Sequence, residues 1–370
     1  MIRILQSVNI MDRAGLETML MNYYRHMDRD VVQFDFLTHR VDKGAYDDEI
    51  LSMGGNVYHA PRLLMFNSPE YSRYMRMIFR DHPEYRIIHS HIDAMSYFPL
   101  LAGKRNGIPV RIAHSHSSEL ENDFKKPVKY FCLKHITDVA THNCACGHRA
   151  GQFMFGDRPF RLINNAIDLD SYGFSEETRM RKRLELGLEG KFVVGHVGRY
   201  CYIKNQLFLI DVFNAIIRKR PDSHLLLVGK GEDLEKIKKK VNELGIGNKV
   251  SLLIDRSDVN ELYQAMDVFV MPSLFEGLPL VAVEAQASGL RCVASDKISS
   301  EINLSSSIEQ LSLDLGSEKW ADHILGLDVT RNKNARKELS QNGYDIRLEA
   351  LKLQQWYCDL NETVLRGKTI

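Results

Sequence analysis

Two glutamates, Glu276 and Glu284, stand eight positions apart in the stretch Ser273-Leu274-Phe275-Glu276-Gly277-Leu278-Pro279-Leu280-Val281-Ala282-Val283-Glu284-Ala285. The apolar run ending at Met271 reads as a strand, the Gly-Pro-punctuated segment as a loop, and a helix is expected from near Leu280. A helix N-terminus offers unpaired amides and the positive end of its dipole, which suits a diphosphate. An ionised carboxylate accepts hydrogen bonds from paired hydroxyls such as those of a ribose or hexose. One short element can therefore hold both phosphate and sugar. The bare spacing also describes a capped helix with two surface glutamates, and it is the Phe-Glu-Gly-Leu-Pro setting that favours the functional reading.

Histidines form a second group. His89, His91, His114 and His116 occur as two His-x-His pairs, each at the end of an expected strand. Alternation along a strand puts both rings of a pair on one face, so a metal site is formally open. No nearby cysteine or carboxylate completes a ligand set, and no metal is expected. Two Asp-x-Asp sequences, Asp28/Asp30 and Asp168/Asp170, lie in polar turns rather than after strand ends, and both read as structural.

The elements that must position these residues alternate from one end of the chain to the other. Strands are expected at Ile2–Val8, Gln33–Leu37, Ile87–His91, Val110–His114 and Arg161–Ile163, with helices at Tyr71–Arg80 and Met95–Asn106 between them. The polar segment from Ala166 to about Arg183 interrupts the rhythm and reads as a linker entering a new helix. A second series follows: strands at Phe192–Val197, His224–Val228, Val250–Leu253, Val268–Met271 and Arg291–Ala294, with a helix at Gln206–Lys219. Ser305–Gly316 reads as irregular, and Tyr344–Thr363 as a helical tail. Strand and helix in alternation at short spacing describe α/β architecture with parallel sheets covered on both faces. Two doubly wound, Rossmann-like domains joined near residue 170 are expected, with ligands outside the carboxyl ends of the strands.

The E-x7-E pair within S-L-F-E-G-L-P-L-V-A-V-E-A resembles the signature of glycosyltransferase family 4, retaining transferases of the GT-B fold. Further resemblances run in order along nearly the whole chain. Gly198-Arg199 with Lys204-Asn205 is similar to a strand-end G-R-x(4)-K element, and Leu227-Val228-Gly229-Lys230-Gly231 to an L-V-G-x-G strand end. Asn165-Ala166-Ile167-Asp168 is similar to an interdomain N-G-I-D, and Ala14-Gly15-Leu16-Glu17 to an N-terminal G-G-x-E loop, each with alanine at one glycine.

The resemblance implies a division of labour. Residues 1–170 would bind acceptor and 171–345 the nucleotide sugar, the two facing each other across a cleft, with 346–370 a C-terminal helix packing back toward the first domain. Glu284 would bind the ribose hydroxyls, and Glu276 would contact the donor sugar or lie near its anomeric carbon. Amides of Gly277, Leu278 and Leu280 would hold sugar and diphosphate, with Gly15 and Asn205 also on the donor side. Arg199 and Lys204 would neutralise the pyrophosphate as negative charge grows on the leaving oxygen. His116 would lie near the transferred sugar, with His114 as the alternative and His91 on the acceptor side. The implied activity is retaining transfer from a nucleoside diphosphate sugar, UDP-linked, to a saccharide acceptor, lipid-linked, in capsule or exopolysaccharide synthesis. No cofactor or metal is called for.

Composition sets the outer limits. The chain has 370 residues, 44% hydrophobic and 26% charged, with a net charge of +1. That charge argues against a nucleic-acid partner. Two basic clusters, Lys125/Lys126/Lys129 and Arg218/Lys219/Arg220, read as solvated faces. The N-terminus reaches Gln6 and Asn9 too soon for a signal peptide. No run approaches a membrane span, and six irregularly spaced cysteines suit a reducing compartment. A cytoplasmic location follows as the expectation, extending to peripheral contact with the inner membrane face. The rival readings are a nucleotide-sugar 2-epimerase of the same architecture and a non-catalytic pseudo-transferase. The joint presence of Arg199, Lys204, Glu276 and Glu284 argues against both. A dehydrogenase is disfavoured because no G-x-G-x-x-G follows the first strand.

Overall fold

The computed structural model describes residues 1–62, 69–120 and 125–367, so the last three residues of the expected C-terminal element lie outside it. The chain forms two compact units, Met1–Ala166 with Ile346–Ile370, and Ile167–Asp345.

In the first unit the strands are β1 (Ile2–Val8), β2 (Val32–Thr38), β3 (Val57–His59), β4 (Ile87–Ser90), β5 (Val110–Ser115), β6 (His142–Ala145) and β7 (Arg161–Leu162). They form one parallel sheet in the order β3-β2-β1-β4-β5-β6-β7. Strand β1 is buried from Ile4 to Val8 irrespective of side, as a strand covered on both faces must be. On one face Leu5, Ile88 and Ala113 pack against Met75, Ile78 and Phe79 of the helix Pro69–Asp81. Full burial of such side chains contributes about 1.5–3 kcal/mol each.

The second unit holds β8 (Phe192–Val197), β9 (Ser223–Val228), β10 (Val250–Leu253), β11 (Val268–Met271), β12 (Arg291–Ser295) and β13 (Ile308–Leu311). This sheet is also parallel, in the order β10-β9-β8-β11-β12-β13. The helix Gln206–Lys219 turns Leu209, Phe213 and Ile216 into a core shared with Val194, Leu225, Val270 and Trp320. Strand order reverses between β1 and β4 in the first sheet and between β8 and β11 in the second. At such a reversal successive crossovers run to opposite sides and leave room at the carboxyl ends of the strands.

Three features depart from the sequence expectation. Val57–His59 and His142–Ala145 are strands that the pattern did not single out; each is short and only partly apolar. Ser305–Gly316, expected to be irregular, contains β13, an edge strand whose residues are all half-buried. The segment read as a linker over residues 166–183 does enter a helix, Glu176–Glu185, capped by the Ser175 side chain, but it also holds the unforeseen short helix Leu169–Tyr172, capped by Asp168.

The ends of the second unit meet: the Ile167 amide donates to the Tyr344 carbonyl at 3.1 Å, and Ile167 bridges Asp345. The chain therefore leaves that unit beside the point where it entered. The helix Ile346–Leu365 packs on the helix Gly15–His26 and on β2, burying Leu353, Tyr357 and Leu360.

Candidate active site

In the second unit the predicted residues gather at the carboxyl ends of β8 and β11, the point of strand-order reversal. After β8 the loop Gly198–Tyr200 lies against the loop after β9. The Gly198 amide donates to the Val228 carbonyl at 3.0 Å and the Tyr200 amide to the Lys230 carbonyl at 2.9 Å. This close approach is what the two glycines of the L-V-G-x-G stretch permit. Gly229 has φ +150°, and a Cβ there would sit 2.0 Å from the Gly198 oxygen; one at Gly231 would sit 2.2 Å from the Tyr200 oxygen. Arg199 is thus held on a clamped backbone while its side chain, 69% exposed, forms an ion pair with Glu232 at 3.0 Å.

Lys204 ends a short 3₁₀ turn, and its Nζ lies 2.5 Å from Glu276 Oε2, with both side chains mostly buried. The other Glu276 oxygen, Oε1, is buried with no partner among the described residues, as is the Ser273 hydroxyl in the same loop. Asn205 occupies the left-handed region, φ 54° and ψ 41°, and its Nδ2 donates to the Pro272 carbonyl at 3.2 Å. The Leu274 amide donates to the Ile203 carbonyl at 2.8 Å. The loops after β8 and β11 are therefore tied together, and Asn205, predicted as a donor contact, serves here as one of the ties. The structure joins Lys204 to Glu276 but leaves Arg199 with Glu232, so the two cations share no carboxylate.

The helix after β11 spans Leu280–Ala287, begins after Pro279 and carries no side-chain cap. Gly277 is half-buried, and Leu278 and Leu280 are buried. Glu284 lies just over one turn into this helix and is 8% exposed. The Tyr172 hydroxyl donates to its Oε1 at 3.0 Å and the Tyr263 hydroxyl to its Oε2 at 2.9 Å. Burial raises the Glu284 pKa, and the two hydroxyls act in the opposite sense. Tyr172 and Tyr263 were not identified from sequence. Tyr172 lies in the segment read as linker, and nothing in its spacing connects it to a residue 112 positions later.

In the first unit Gly15 is the exposed first residue of the helix Gly15–His26, and its φ is not in the left-handed region, so no tight turn demands glycine there. The same helix buries Glu17, 7% exposed, whose pKa is pushed up to about 7 by burial.

The two histidine pairs come together at the carboxyl ends of β4 and β5. His91 Nδ1 lies 3.1 Å from His116 Nε2, and His114 Nδ1 lies 3.2 Å from His89 Nε2. His89, His91 and His114 are all within 2% of full burial, whereas His116 is partly exposed. His91 and His114 therefore offer a ligand almost no exposed surface. Burial holds the His116 pKa down at about 3 and those of the other three well below the ordinary value. Nitrogens of His89, His91 and His114 lie within 4.8 Å of one another, a spacing that could hold a metal ion. Five of those six nitrogens already make hydrogen bonds, so a metal would have to displace them.

The Asp-x-Asp sequences serve as turn and cap residues. Asp28 Oδ1 accepts from the Asp30 amide at 3.0 Å, Asp168 Oδ1 accepts from the Asp170 amide at 3.1 Å, and Asp170 pairs with Arg336. Of the basic cluster Arg218/Lys219/Arg220, every member pairs with an acid, among them Glu318, Asp322 and Asp222. None of the six cysteines forms a disulfide. Among the described residues no helix is long and apolar enough to cross a membrane.

Two parallel Rossmann-like sheets, with a carboxylate pair and a lysine at the second switch point, define the class: this chain is a glycosyltransferase of the GT-B fold and belongs to glycosyltransferase family 4. Residues 13–171 match the family described as Glycosyltransferase Family 4, and residues 191–327 that described as Glycosyl transferases group 1. The chain is 34% identical over 356 residues to EpsF of Bacillus subtilis (strain 168), itself assigned as a glycosyltransferase, covering 93% of each chain. It is 26% identical to the UDP-Gal:alpha-D-GlcNAc-diphosphoundecaprenol alpha-1,3-galactosyltransferase of Escherichia coli, over 75% of this chain and 76% of that one. Among solved structures, Anabaena Alr3699/HepE in complex with UDP superposes with a TM-score of 0.81 at 20% identity, covering 97% of this chain and 100% of that one.

Proposed function

We propose that this enzyme transfers a hexose from a UDP-sugar, with retention, to a hydroxyl of a lipid-linked saccharide in capsule or exopolysaccharide synthesis. The observation that carries the reading is the Lys204–Glu276 pair, whose second carboxylate oxygen is buried without a partner beside an uncapped helix start. That oxygen is suited to accept from a sugar hydroxyl, while Lys204 and the amides of Gly277, Leu278 and Leu280 are suited to the diphosphate. Glu284, already accepting from two phenols, takes the place of a ribose-binding carboxylate. The bond between the sugar's anomeric carbon and the β-phosphate oxygen breaks, the carbon bonds to the acceptor oxygen, and the acceptor's proton is released. Charge on the departing phosphate is met by Lys204 and by Arg199, which can leave an exposed ion pair worth about 0–1 kcal/mol. His116 faces the transferred sugar.

The donor and acceptor follow the chemistry named for the E. coli relative, which uses UDP-Gal and a diphosphoundecaprenol-linked sugar, and the UDP held by Alr3699/HepE. Such an acceptor would bring the enzyme to the inner membrane face. No divalent metal is required, because Arg and Lys supply the positive charge. The test is a thermal-shift screen of UDP-, GDP- and ADP-sugars, followed by transfer assays on an undecaprenyl-diphosphate-linked sugar with and without EDTA. Stabilisation by UDP compounds, and transfer that survives EDTA, are expected. Turnover of donor without acceptor would indicate the epimerase, binding without turnover a pseudo-transferase, and loss in EDTA restored by magnesium a metal-dependent reaction.

A further inference from the structure

Six buried or half-buried side chains of the first unit form one unbranched chain of hydrogen bonds across its switch point. From one end it runs His116 Nε2 to His91 Nδ1 at 3.1 Å, then His91 Nε2 to Gln6 Oε1 at 2.8 Å. Gln6 Nε2 donates to the Tyr357 hydroxyl at 3.3 Å, Tyr357 lies 2.7 Å from His89 Nδ1, and His89 Nε2 lies 3.2 Å from His114 Nδ1. Gln6 comes from β1, the histidines from β4, β5 and the residue after each, and Tyr357 from the helix Ile346–Leu365.

Each ring is neutral, because burial opposes its charge, so each has one N–H and one bare nitrogen. With the Gln6 amide in this orientation and the Tyr357 O–H hydrogen-bonded, proton accounting fixes every bond. Gln6 Oε1 can only accept, so His91 carries its proton on Nε2 and has a bare Nδ1. His116 must donate to that nitrogen from Nε2. On the other side the Tyr357 oxygen accepts from the Gln6 amide and donates to His89 Nδ1. His89 therefore donates from Nε2 to His114 Nδ1, and His114 is left with its proton on a buried, unpartnered Nε2. Turning the Gln6 amide over would reverse every bond and move all four protons to Nδ1.

We propose that Gln6 is a positioning residue whose single amide fixes the tautomer of all four histidines together, so that His116 presents a bare Nδ1 as a hydrogen-bond acceptor. The ligand group this suits is a sugar hydroxyl, which rests on the reading of His116 as facing the transferred sugar. The lock itself needs no ligand.

The test is a long-range ¹H–¹⁵N correlation spectrum of the histidine rings in the full chain, labelled with ¹⁵N-histidine and assigned through the backbone. All four are expected as Nε2–H. Gln6→Met, similar in length but with neither donor nor acceptor, should shift at least one pair toward mixed tautomers. Tyr357→Phe, which removes one oxygen, should change only His89 and His114 and leave His91 and His116 as Nε2–H. Any other pattern in the parent, including four Nδ1–H rings, overturns the proposal. So does a parent-like spectrum for a folded Gln6→Met, or movement of His91 and His116 in Tyr357→Phe. Because no substrate is present, this outcome is separate from the transferase reading. That reading fails on its own terms if His116→Ala leaves turnover unchanged.

Discussion

Glu284 shows how much a carboxylate's neighbours decide. Its two oxygens each accept from a phenol inside a site that burial makes apolar, and its pKa is raised. A ribose diol would compete for the same oxygens. Glu284→Ala removes a charged acceptor and should weaken UDP binding by about 1.5–3 kcal/mol, or roughly ten- to 150-fold, in a calorimetric titration. Equal affinity in a folded variant would remove Glu284 from the donor site. Glu17 carries the complementary stability effect. Its folded pKa of about 7 exceeds the ordinary 4.5, so between these values the folded state binds the extra proton. Stability conferred by neutral Glu17 is thus fully present below pH 4.5 and lost as pH rises through 7. Glu17→Gln should be more stable than the parent at pH 8 by up to about 3 kcal/mol, with the gap closing below pH 5. Urea unfolding across pH measures this, and a gap independent of pH would show that the carboxyl titrates normally when folded.

At the scale of elements, the loop after β8 carries both cations on differently built supports. Arg199 is clamped through the backbone and free at its tip, whereas Lys204 is half-enclosed and already paired with Glu276. If both serve the departing phosphate, each single alanine variant should lower turnover at saturating donor by roughly 10²–10³-fold. The double variant should lose less than the product of the two. A double-mutant cycle on kcat decides this. Multiplicative losses would mean separate roles, which the separate ion pairs of the free enzyme allow. Near-normal single variants would exclude both residues from the chemistry.

On the scale of the whole chain, the first unit is completed by residues 346–370, which follow the entire second unit in sequence. Tyr357 is 1% exposed and packs edge-on to Phe34 at 6.0 Å, and Trp356 takes the Arg161 guanidinium at 4.9 Å. A chain ending at Asp345 would expose that surface and remove Tyr357 from the histidine network. Loss of a buried aromatic alone costs about 3–5 kcal/mol. Such a truncation should make the first unit sensitive to limited proteolysis at a temperature the full chain resists, while Ile167–Asp345 survives. Unchanged resistance of Met1–Ala166 would show that the terminal helix is dispensable for stability.

Local pattern determined much on its own. The run Ile2–Val8 and the helical period of Gln206–Lys219 match the observed bounds because a doubly covered strand and an amphipathic helix are encoded in consecutive residues. The loop-and-helix placement of Glu276 and Glu284 was legible for the same reason. What only tertiary structure decided involves partners far apart in sequence. The phenols on Glu284 come from residues 172 and 263, and Gln6 meets Tyr357 across 351 positions. Strand order brings β1 beside β4 and β8 beside β11, and the returning helix supplies Tyr357. A hydrogen bond between side chains leaves no periodic trace along the chain, so its partners are fixed by packing rather than by any spacing a sequence displays.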